Sequence, residues 1–263
     1  MTDLTRIASQ GIAEHGRGRP PCRILIAGFG AFPGMPVNVS GHVATAVACN
    51  IQSRRADDTI SLLHLPTEWS AARTLWREAI ERDKPQVAIA FGVSGRARSL
   101  FIETVARNRA IGLDAAHCLP EQTTLTPDGR AVLSVRYPSR RLIKVLRANG
   151  YPVTRSVSAG SYLCNAILYD ALSAGEDRSG RPLACFMHMP AYMTPTYRTP
   201  AGRTSSHVNK ARIAPDPATP TSDPERAATD HVQATATPDD LTRVVKAGTL
   251  AADWLAAMAA EAR

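Results

Sequence analysis

A cysteine and a histidine stand in a context that could do chemistry. Cys164 comes at the start of a predicted helix in SVSAGSYLCNAILYDAL, and His188 lies near the end of a predicted strand, RPLACFMHMP, 24 residues later. A neighbouring imidazole and the free N–H groups of a helix N-terminus both favour the thiolate, the reactive form of cysteine. The pair predicts a nucleophile with a general base. Each residue has an ordinary alternative: Cys164 as a small buried side chain, and His188 as a structural histidine.

A nucleophile–base pair also needs a third group that orients the imidazole. Glu103 in FGVSGRARSLFIETVARN is the candidate, because it is an acid among apolar residues. The alternative is a surface carboxylate or an ion pair with Arg107. Periodicity alone does not separate these possibilities.

Two glycine-rich segments resemble known motifs but depart from them. GFGAFPG has the spacing G-x-G-x-x-x-G, and no acid follows it about 20 residues on, so a dinucleotide-binding loop is disfavoured. Its phenylalanines, Phe29 and Phe32, suit an apolar wall for a small ring. GVSGRA is a near miss for the G-x-S-x-G elbow of serine hydrolases, because Gly95 follows the serine directly.

The elements that must position these residues alternate between strands and helices. Short apolar runs ending in glycine or proline predict strands, and amphipathic runs between them predict helices. This alternation indicates an α/β fold, with a mostly parallel sheet covered by helices on both faces. Sites in such sheets form at the carboxyl ends of strands. Gly28, Gly92, Ala159 and His188 all lie where a strand should end, and we expect them to meet.

Two segments fall outside this alternation. Residues 1–21 precede the first predicted strand and are expected to be a flexible extension. Residues 194–238 contain seven prolines, nine threonines and little apolar material. We predict a single domain over residues 22–263, with residues 194–238 inserted as a long loop or lid.

Charge and cysteine content exclude several classes of protein. The net charge is +8, but the densest basic stretch, RYPSRRLIKVLRANG, has apolar residues at helical spacing, so its bases are interpreted as the outer face of a helix. Few aromatic residues are available for base stacking, and no nucleic-acid partner is expected. The five cysteines form no C-x-x-C, which disfavours a zinc ribbon. No apolar run would cross a membrane and no signal peptide is evident, so we expect a cytoplasmic protein.

Taken in order, these segments resemble the pyroglutamyl peptidase I family of cysteine peptidases. GFGAFPGMPVNVS is similar to G-F-G-P-F-G-G…N-P-S, and GVSGRARSLFIETVARN to G-Q-A-G-G-R-x-x-I-x-x-E-R-V-A-x-N. SVSAGSYLCNAILYDAL resembles S-x-x-A-G-T-F-V-C-N-x-x-x-Y-x-x-L, and ACFMHMP resembles G-F-I-H-V-P. The similarity runs from about Ile24 to Pro190 and resumes in the C-terminal helix.

The resemblance implies an α/β/α sandwich and a triad of Cys164 as nucleophile, His188 as base and Glu103 as orienting acid. It implies release of N-terminal pyroglutamyl residues from peptides through an acyl-thioester. The backbone N–H of Cys164 would lie in the oxyanion hole. No metal or cofactor is implied, and the family is often tetrameric, so a homo-oligomer is expected.

The resemblance also implies a set of substrate-binding residues. Phe29 and Phe32 match the phenylalanines that hold the pyrrolidone ring, and Tyr162 and Leu163 match apolar pocket residues just before the cysteine. Val93 takes the position of the family's glutamine.

The sequence departs from the family where the substrate is held. The family's A-R-I-P-D-N segment is absent, and Leu113 stands where its arginine should fall. Arg107 or Arg109 could substitute for that arginine. A divergent cysteine amidase with another acyl specificity is therefore the first alternative, and a non-catalytic binding protein on the same scaffold is the second. A nicotinamide-dependent oxidoreductase comes last, because the glycine fingerprint fails.

Overall fold

A sheet of short, apolar strands forms the centre of the protein. The computed structural model describes residues 20–31, 38–174, 181–191 and 238–261. The strands are β1 (Arg23–Phe29), β2 (Thr59–Leu65), β3 (Val87–Ser94), β4 (Leu100–Glu103), β5 (Val105–Arg107), β6 (Val132–Ser134), β7 (Val153–Ser156) and β8 (Leu183–Pro190). The helices are α1 (Val39–Arg54), α2 (Trp69–Asp83), α3 (Ser139–Ala148), α4 (Leu163–Ser173) and α5 (Pro238–Glu261).

The main sheet has the strand order β2-β1-β3-β8-β4-β7. Strands β2, β1, β3 and β8 are parallel to one another. β4 runs antiparallel to β8 and parallel to β7, so the last two strands point the opposite way. The expectation of an α/β fold with a mostly parallel sheet is confirmed.

The reversal of β4 and β7 corrects one expectation. Gly28, Gly92 and His188 lie near the carboxyl ends of β1, β3 and β8, and these three strand ends lie side by side. Strand β7 runs the other way and ends at Ser156, which pairs with Glu103 and so lies level with Phe186 of β8. Ala159 therefore reaches the core cluster on the Cys164 side from an oppositely directed strand, and the parallel-sheet argument does not apply to it.

Helices cover both faces of the sheet and give the predicted three layers. Successive side chains of a strand point to opposite faces. Ile24 and Ile26 of β1 accordingly pack with residues of α1, α3 and α5, whereas Leu25 and Ala27 pack with residues of α2 and α4. Strands buried on both faces explain the continuous apolar runs in the sequence.

The segment after β4 leaves the main sheet. The side-chain hydroxyl and the backbone N–H of Thr104 both donate to the carbonyl of Ser156, and the chain then forms β5, which pairs antiparallel with β6. This two-stranded unit lies beside α4. It brings residues 105–111 next to the helix that carries Cys164.

Some of the predicted features lie outside the described residues. These are residues 1–19 of the N-terminal extension, residues 194–237 of the insertion, and Phe32. The boundaries of the extension and the insertion stay predictions. Within the described ranges, no helix is both long and apolar enough to span a membrane.

Candidate active site

Antiparallel pairing of β4 with β8 brings Glu103 to His188. In this register Phe101 lies opposite His188 and Glu103 lies opposite Phe186, so Glu103, Phe186 and His188 share one face of the sheet. Oε1 of Glu103 lies 2.8 Å from Nδ1 of His188. Glu103 is 1% exposed and His188 5% exposed. The surface-carboxylate and Arg107 alternatives for Glu103 are thereby wrong.

The imidazole of His188 lies between an acid and a thiol. Nδ1 is occupied by Glu103, and Cys164 lies close enough to His188 to raise the pKa of the ring. Since Nδ1 is taken, Nε2 is the nitrogen left for proton transfer with the sulfur. Burial lowers the pKa of His188, but Cys164 and Glu103 outweigh burial and raise it to about 9. This arrangement favours a protonated His188 ring.

Cys164 reaches this position because a glycine lies beneath it. Gly92 of β3 is paired with His188 of β8. A Cβ atom at Gly92 would lie 3.0 Å from the Cys164 sulfur and 2.8 Å from Cζ of Phe186. No larger side chain fits without displacing the thiol or the ring on which His188 packs. The sequence marked Gly92 only as a strand-end glycine.

The N-terminus of α4 also presents unpaired backbone donors. Tyr162 is the N-cap residue and provides no side-chain cap. The backbone N–H of Cys164 makes no hydrogen bond to any of the described residues. An N–H group in this position can stabilise negative charge on a substrate oxygen.

Asn165 fixes the neighbouring segment to α4. Its side-chain NH₂ donates to the carbonyls of Arg107 and Arg109 at 2.8 and 3.0 Å, and its side-chain oxygen accepts from the Arg107 N–H at 2.8 Å. Asn165 is fully buried. We did not single it out from the sequence, although a polar residue directly after a candidate nucleophile was a usable signal.

A buried carboxylate holds the other end of α4. Both oxygens of Asp170 accept hydrogen bonds from Arg73 of α2 at 2.9 Å, and Oδ1 also accepts from Arg77 at 2.7 Å. The Arg73 guanidinium continues to the carbonyl of Leu125. This network locks the helix of the candidate nucleophile against α2.

The predicted pocket residues divide between the two faces of the sheet. Phe29 and Leu163 are buried in the core cluster on the Cys164 side, and Tyr162 packs against that cluster. Burial, followed by Asp114 and Cys164, raises the pKa of Tyr162 to about 12, so its phenol stays protonated. Val93 packs with the opposite cluster because strand side chains alternate. Its side chain therefore points away from Cys164, and its assignment as a substrate-binding residue stays a prediction.

The segment in place of A-R-I-P-D-N has its own structure. Oδ2 of Asp114 accepts from the N–H of Trp69, the first residue of α2, and Oδ1 accepts from the N–H groups of Ala116 and Cys118. The Trp69 indole donates to the carbonyl of Gly112 and packs edge-on against Tyr162 at 5.1 Å. Trp69, which the sequence did not indicate, therefore links this loop to the pocket.

Among the described residues, neither Arg107 nor Arg109 is seen to take the place of the arginine that the family has in its A-R-I-P-D-N segment. Leu113 is 48% exposed. The side chains of Arg107 and Arg109 are exposed, and neither guanidinium is hydrogen-bonded or ion-paired within the described ranges. Both residues contact α4 through their backbone atoms, which bind Asn165.

The sequence profile of the pyroglutamyl peptidase family matches residues 22–213 of the chain. The chain belongs to the pyroglutamyl peptidase family. It is 31% identical over 175 residues to a pyrrolidone-carboxylate peptidase of Gloeobacter violaceus, an alignment that covers 64% of this chain and 81% of that protein.

Solved structures of pyroglutamyl peptidases share the fold. Pyroglutamyl peptidase I of Bacillus amyloliquefaciens superposes with a TM-score of 0.63 at 21% identity, over 90% of this chain and 97% of the other. A variant of the pyrrolidone carboxyl peptidase from P. furiosus gives 0.58 at 26% identity, over 64% and 80% of the two chains. The α/β fold of pyroglutamyl peptidases is thus the fold of this chain.

Proposed function

We propose that this protein is a cysteine exopeptidase that removes N-terminal pyroglutamyl residues from peptides, with Cys164 as nucleophile. The observation that carries the proposal is the chain of side chains from Glu103 through His188 to Cys164. Membership of the family supplies the substrate class.

In the first step His188 holds the proton of the Cys164 thiol, and the thiolate attacks the pyroglutamyl carbonyl carbon. A sulfur–carbon bond forms, and the carbonyl oxygen becomes an oxyanion. The Cys164 backbone N–H donates to that oxygen, an interaction that commonly contributes roughly 3 kcal/mol to transition-state stabilisation. His188 then gives its proton to the leaving nitrogen as the carbon–nitrogen bond breaks.

In the second step water replaces the peptide. His188 takes a proton from water, and the resulting hydroxide adds to the thioester carbon. The carbon–sulfur bond breaks, pyroglutamate leaves, and the cysteine is restored. Glu103 keeps Nδ1 protonated, so that Nε2 performs both transfers.

The test measures hydrolysis of a pyroglutamyl-coumarin amide by the wild type, by the Cys164→Ser variant and by the Cys49→Ser variant. Cys49 lies on an exposed part of α1, so its variant is the matched control. We expect release of coumarin by the wild type and the Cys49→Ser variant, and at least a thousandfold loss in Cys164→Ser. Equal rates in all three proteins would refute the role of Cys164.

A second candidate is a cysteine amidase with a different acyl group, favoured by one observation. Leu113 stands exposed where the family's arginine is expected, and the loop is rebuilt around Asp114. Rapid alkylation of Cys164 without pyroglutamyl release would support this candidate. A Cys164 no more reactive than Cys49 would leave a binding protein on the same scaffold.

The proposal extends to the setting in which the protein works. We expect a cytoplasmic peptidase, a homo-oligomer such as a tetramer, and no nucleic-acid partner. Light scattering after gel filtration measures the oligomer mass. A monomer at micromolar concentration would contradict the expected assembly and leave the chemistry at Cys164 untouched.

A further inference from the structure

Four cationic side chains line one groove on the face of the sheet opposite Cys164. The groove has a volume of about 540 Å³ and is lined by Arg140, Ile143, Lys144, Arg147, Ala148 and Arg155. Three of the cations come from α3, and Arg155 comes from β7, the strand at the edge of the sheet. The sequence indicated only the basic face of a helix, because Arg155 joins that face through the tertiary structure.

The groove is separate from the candidate active site. Arg155 of β7 is paired with Ile102 of β4, which is paired with Met187 of β8. Ile102 and Met187 belong to the core cluster on the α1, α3 and α5 side. His188 and Glu103 face the other layer, so the peptidase chemistry does not use these cations.

The four cations lack acidic partners in the part of the chain that the structure describes. Other arginines on the same molecule are paired: Arg54 with Asp253, Arg55 with Asp58, and Arg82 with Asp83. In contrast, none of the described residues that line the groove is an acid, and none of its cations forms an ion pair with a described residue. Like charges gathered without counter-charges repel one another, and an anion would relieve that repulsion.

The groove is partly preorganised. Nε of Arg147 donates to the carbonyl of Val153 at 2.8 Å, which ties the helix to the strand and leaves the outer guanidinium nitrogens for a ligand. Ile143 is buried and forms an apolar floor. Arginine forks bind phosphate oxygens in pairs, and lysine adds a point charge.

We propose that this groove binds a chain of phosphates, as in inorganic triphosphate or the triphosphate of a nucleotide. Arg140, Lys144 and Arg147 follow the i, i+4, i+7 pattern of one helix face and span about 10 Å along the axis. Three linked phosphates carry on the order of four negative charges near neutral pH, matching the four cations of the groove. No aromatic residue is among the described residues that line it, so we expect a nucleobase to add little affinity.

The test is calorimetric titration of the full chain with inorganic tripolyphosphate, with ATP and with citrate, in low salt. The variant Arg140→Gln/Lys144→Gln removes two groove cations. The control Arg141→Gln/Lys246→Gln removes two exposed cations outside the groove, on α3 and α5. We expect tripolyphosphate and ATP to bind the wild type with similar Kd, at least tenfold weaker binding to the groove variant, and a change within about twofold in the control.

Several results would overturn the proposal. The first is an equal weakening of phosphate binding in both double variants. The second is a wild type that binds ATP but does not bind tripolyphosphate. The third is binding of citrate as tight as that of tripolyphosphate. Loss of oligomer mass in the groove variant, with no phosphate binding to the wild type, would make the groove an interface between copies. If the groove variant does not fold, Arg155→Gln on β7 replaces it. Pyroglutamyl release should be unchanged in both double variants, so this proposal can fail independently of the proposed peptidase function.

Discussion

Gly92 and His188 are paired in neighbouring parallel strands, and the Cys164 sulfur lies only 3.0 Å from the point where a Cβ on Gly92 would stand. The absence of a side chain at this glycine therefore lets the thiol approach the strand next to the one that carries the imidazole. It also leaves room for the Phe186 ring, whose centroid lies 4.8 Å from that of His188.

Replacing this glycine should impair chemistry more than folding. In Gly92→Ala the new methyl would push the sulfur or the Phe186 ring away, so we expect kcat to fall at least tenfold, the loss that about 1.4 kcal/mol of transition-state stabilisation produces. Gly95→Ala is the control, because no atom lies within 4 Å of its added Cβ. Unchanged turnover in Gly92→Ala would show that the site does not need this space.

Removing the charge of Glu103 should lower activity strongly. In Glu103→Gln the side chain no longer favours the charged imidazole or fixes its tautomer, so we expect kcat to fall by roughly 10³–10⁴-fold and the pKa of His188 to drop. Rates for Glu121→Gln, an exposed acid, should match those of the wild type. A pH–rate profile identical to the wild type in Glu103→Gln would contradict the orienting role.

The titration of His188 should depend on Cys164. Its pKa in the folded state is about 9, above the ordinary value of 6.5, so the stability that its proton contributes is complete below pH 6.5 and is lost as the pH rises through about 9. The Cys164→Ser variant removes the strongest of the influences that raise this pKa. We expect the His188 ring resonance in NMR to titrate at lower pH in the variant. An unchanged titration midpoint of His188 would mean that Cys164 does not raise the pKa of the ring.

Asn165 should act as a positioning residue. Asn165→Ala removes its three hydrogen bonds to the backbone of Arg107 and Arg109, although the Arg107 carbonyl still accepts from the Arg109 N–H. We expect about 2–4 kcal/mol of destabilisation in urea unfolding. The measurement beyond stability is the alkylation rate of Cys164, which should change because the start of α4 moves. Asn50→Ala on the exposed face of α1 is the control. If Asn165→Ala changes neither the stability nor the alkylation rate, Asn165 is not a positioning residue.

The buried carboxylate of α4 should contribute mainly to stability. Asp170→Asn leaves Arg73 partly buried without its counter-charge, and breaking such a pair typically costs about 3–5 kcal/mol. Arg77 is half-exposed and contributes less, because solvent screens its charge. Thermal unfolding of Asp170→Asn against Asp57→Asn, an exposed aspartate, measures the difference. Equal midpoints would mean that the network is not needed to hold α4.

The sequence alone was sufficient to identify the residues that carry chemistry. A cysteine at a helix start, a histidine at a strand end and an acid within an apolar segment are local features, because capping, periodicity and residue type are encoded over a few neighbouring positions. The alternation of strands and helices likewise determined the layered α/β fold. The prediction failed where geometry depends on strand direction, since sequence patterns do not show which way a short strand runs.

Only the tertiary structure decided which of those residues contact one another and on which face of the sheet each one lies. Antiparallel pairing of β4 with β8 brings Glu103 beneath His188, although 85 positions separate them. Side-chain alternation along β3 places Val93 on the face opposite Cys164, and the pairing of β7 with β4 brings Arg155 to the basic face of α3. These relationships arise from long-range pairing and register, which no local pattern specifies. The sequence thus determined the chemical groups, and only the folded sheet determined their distances and their separation into two faces.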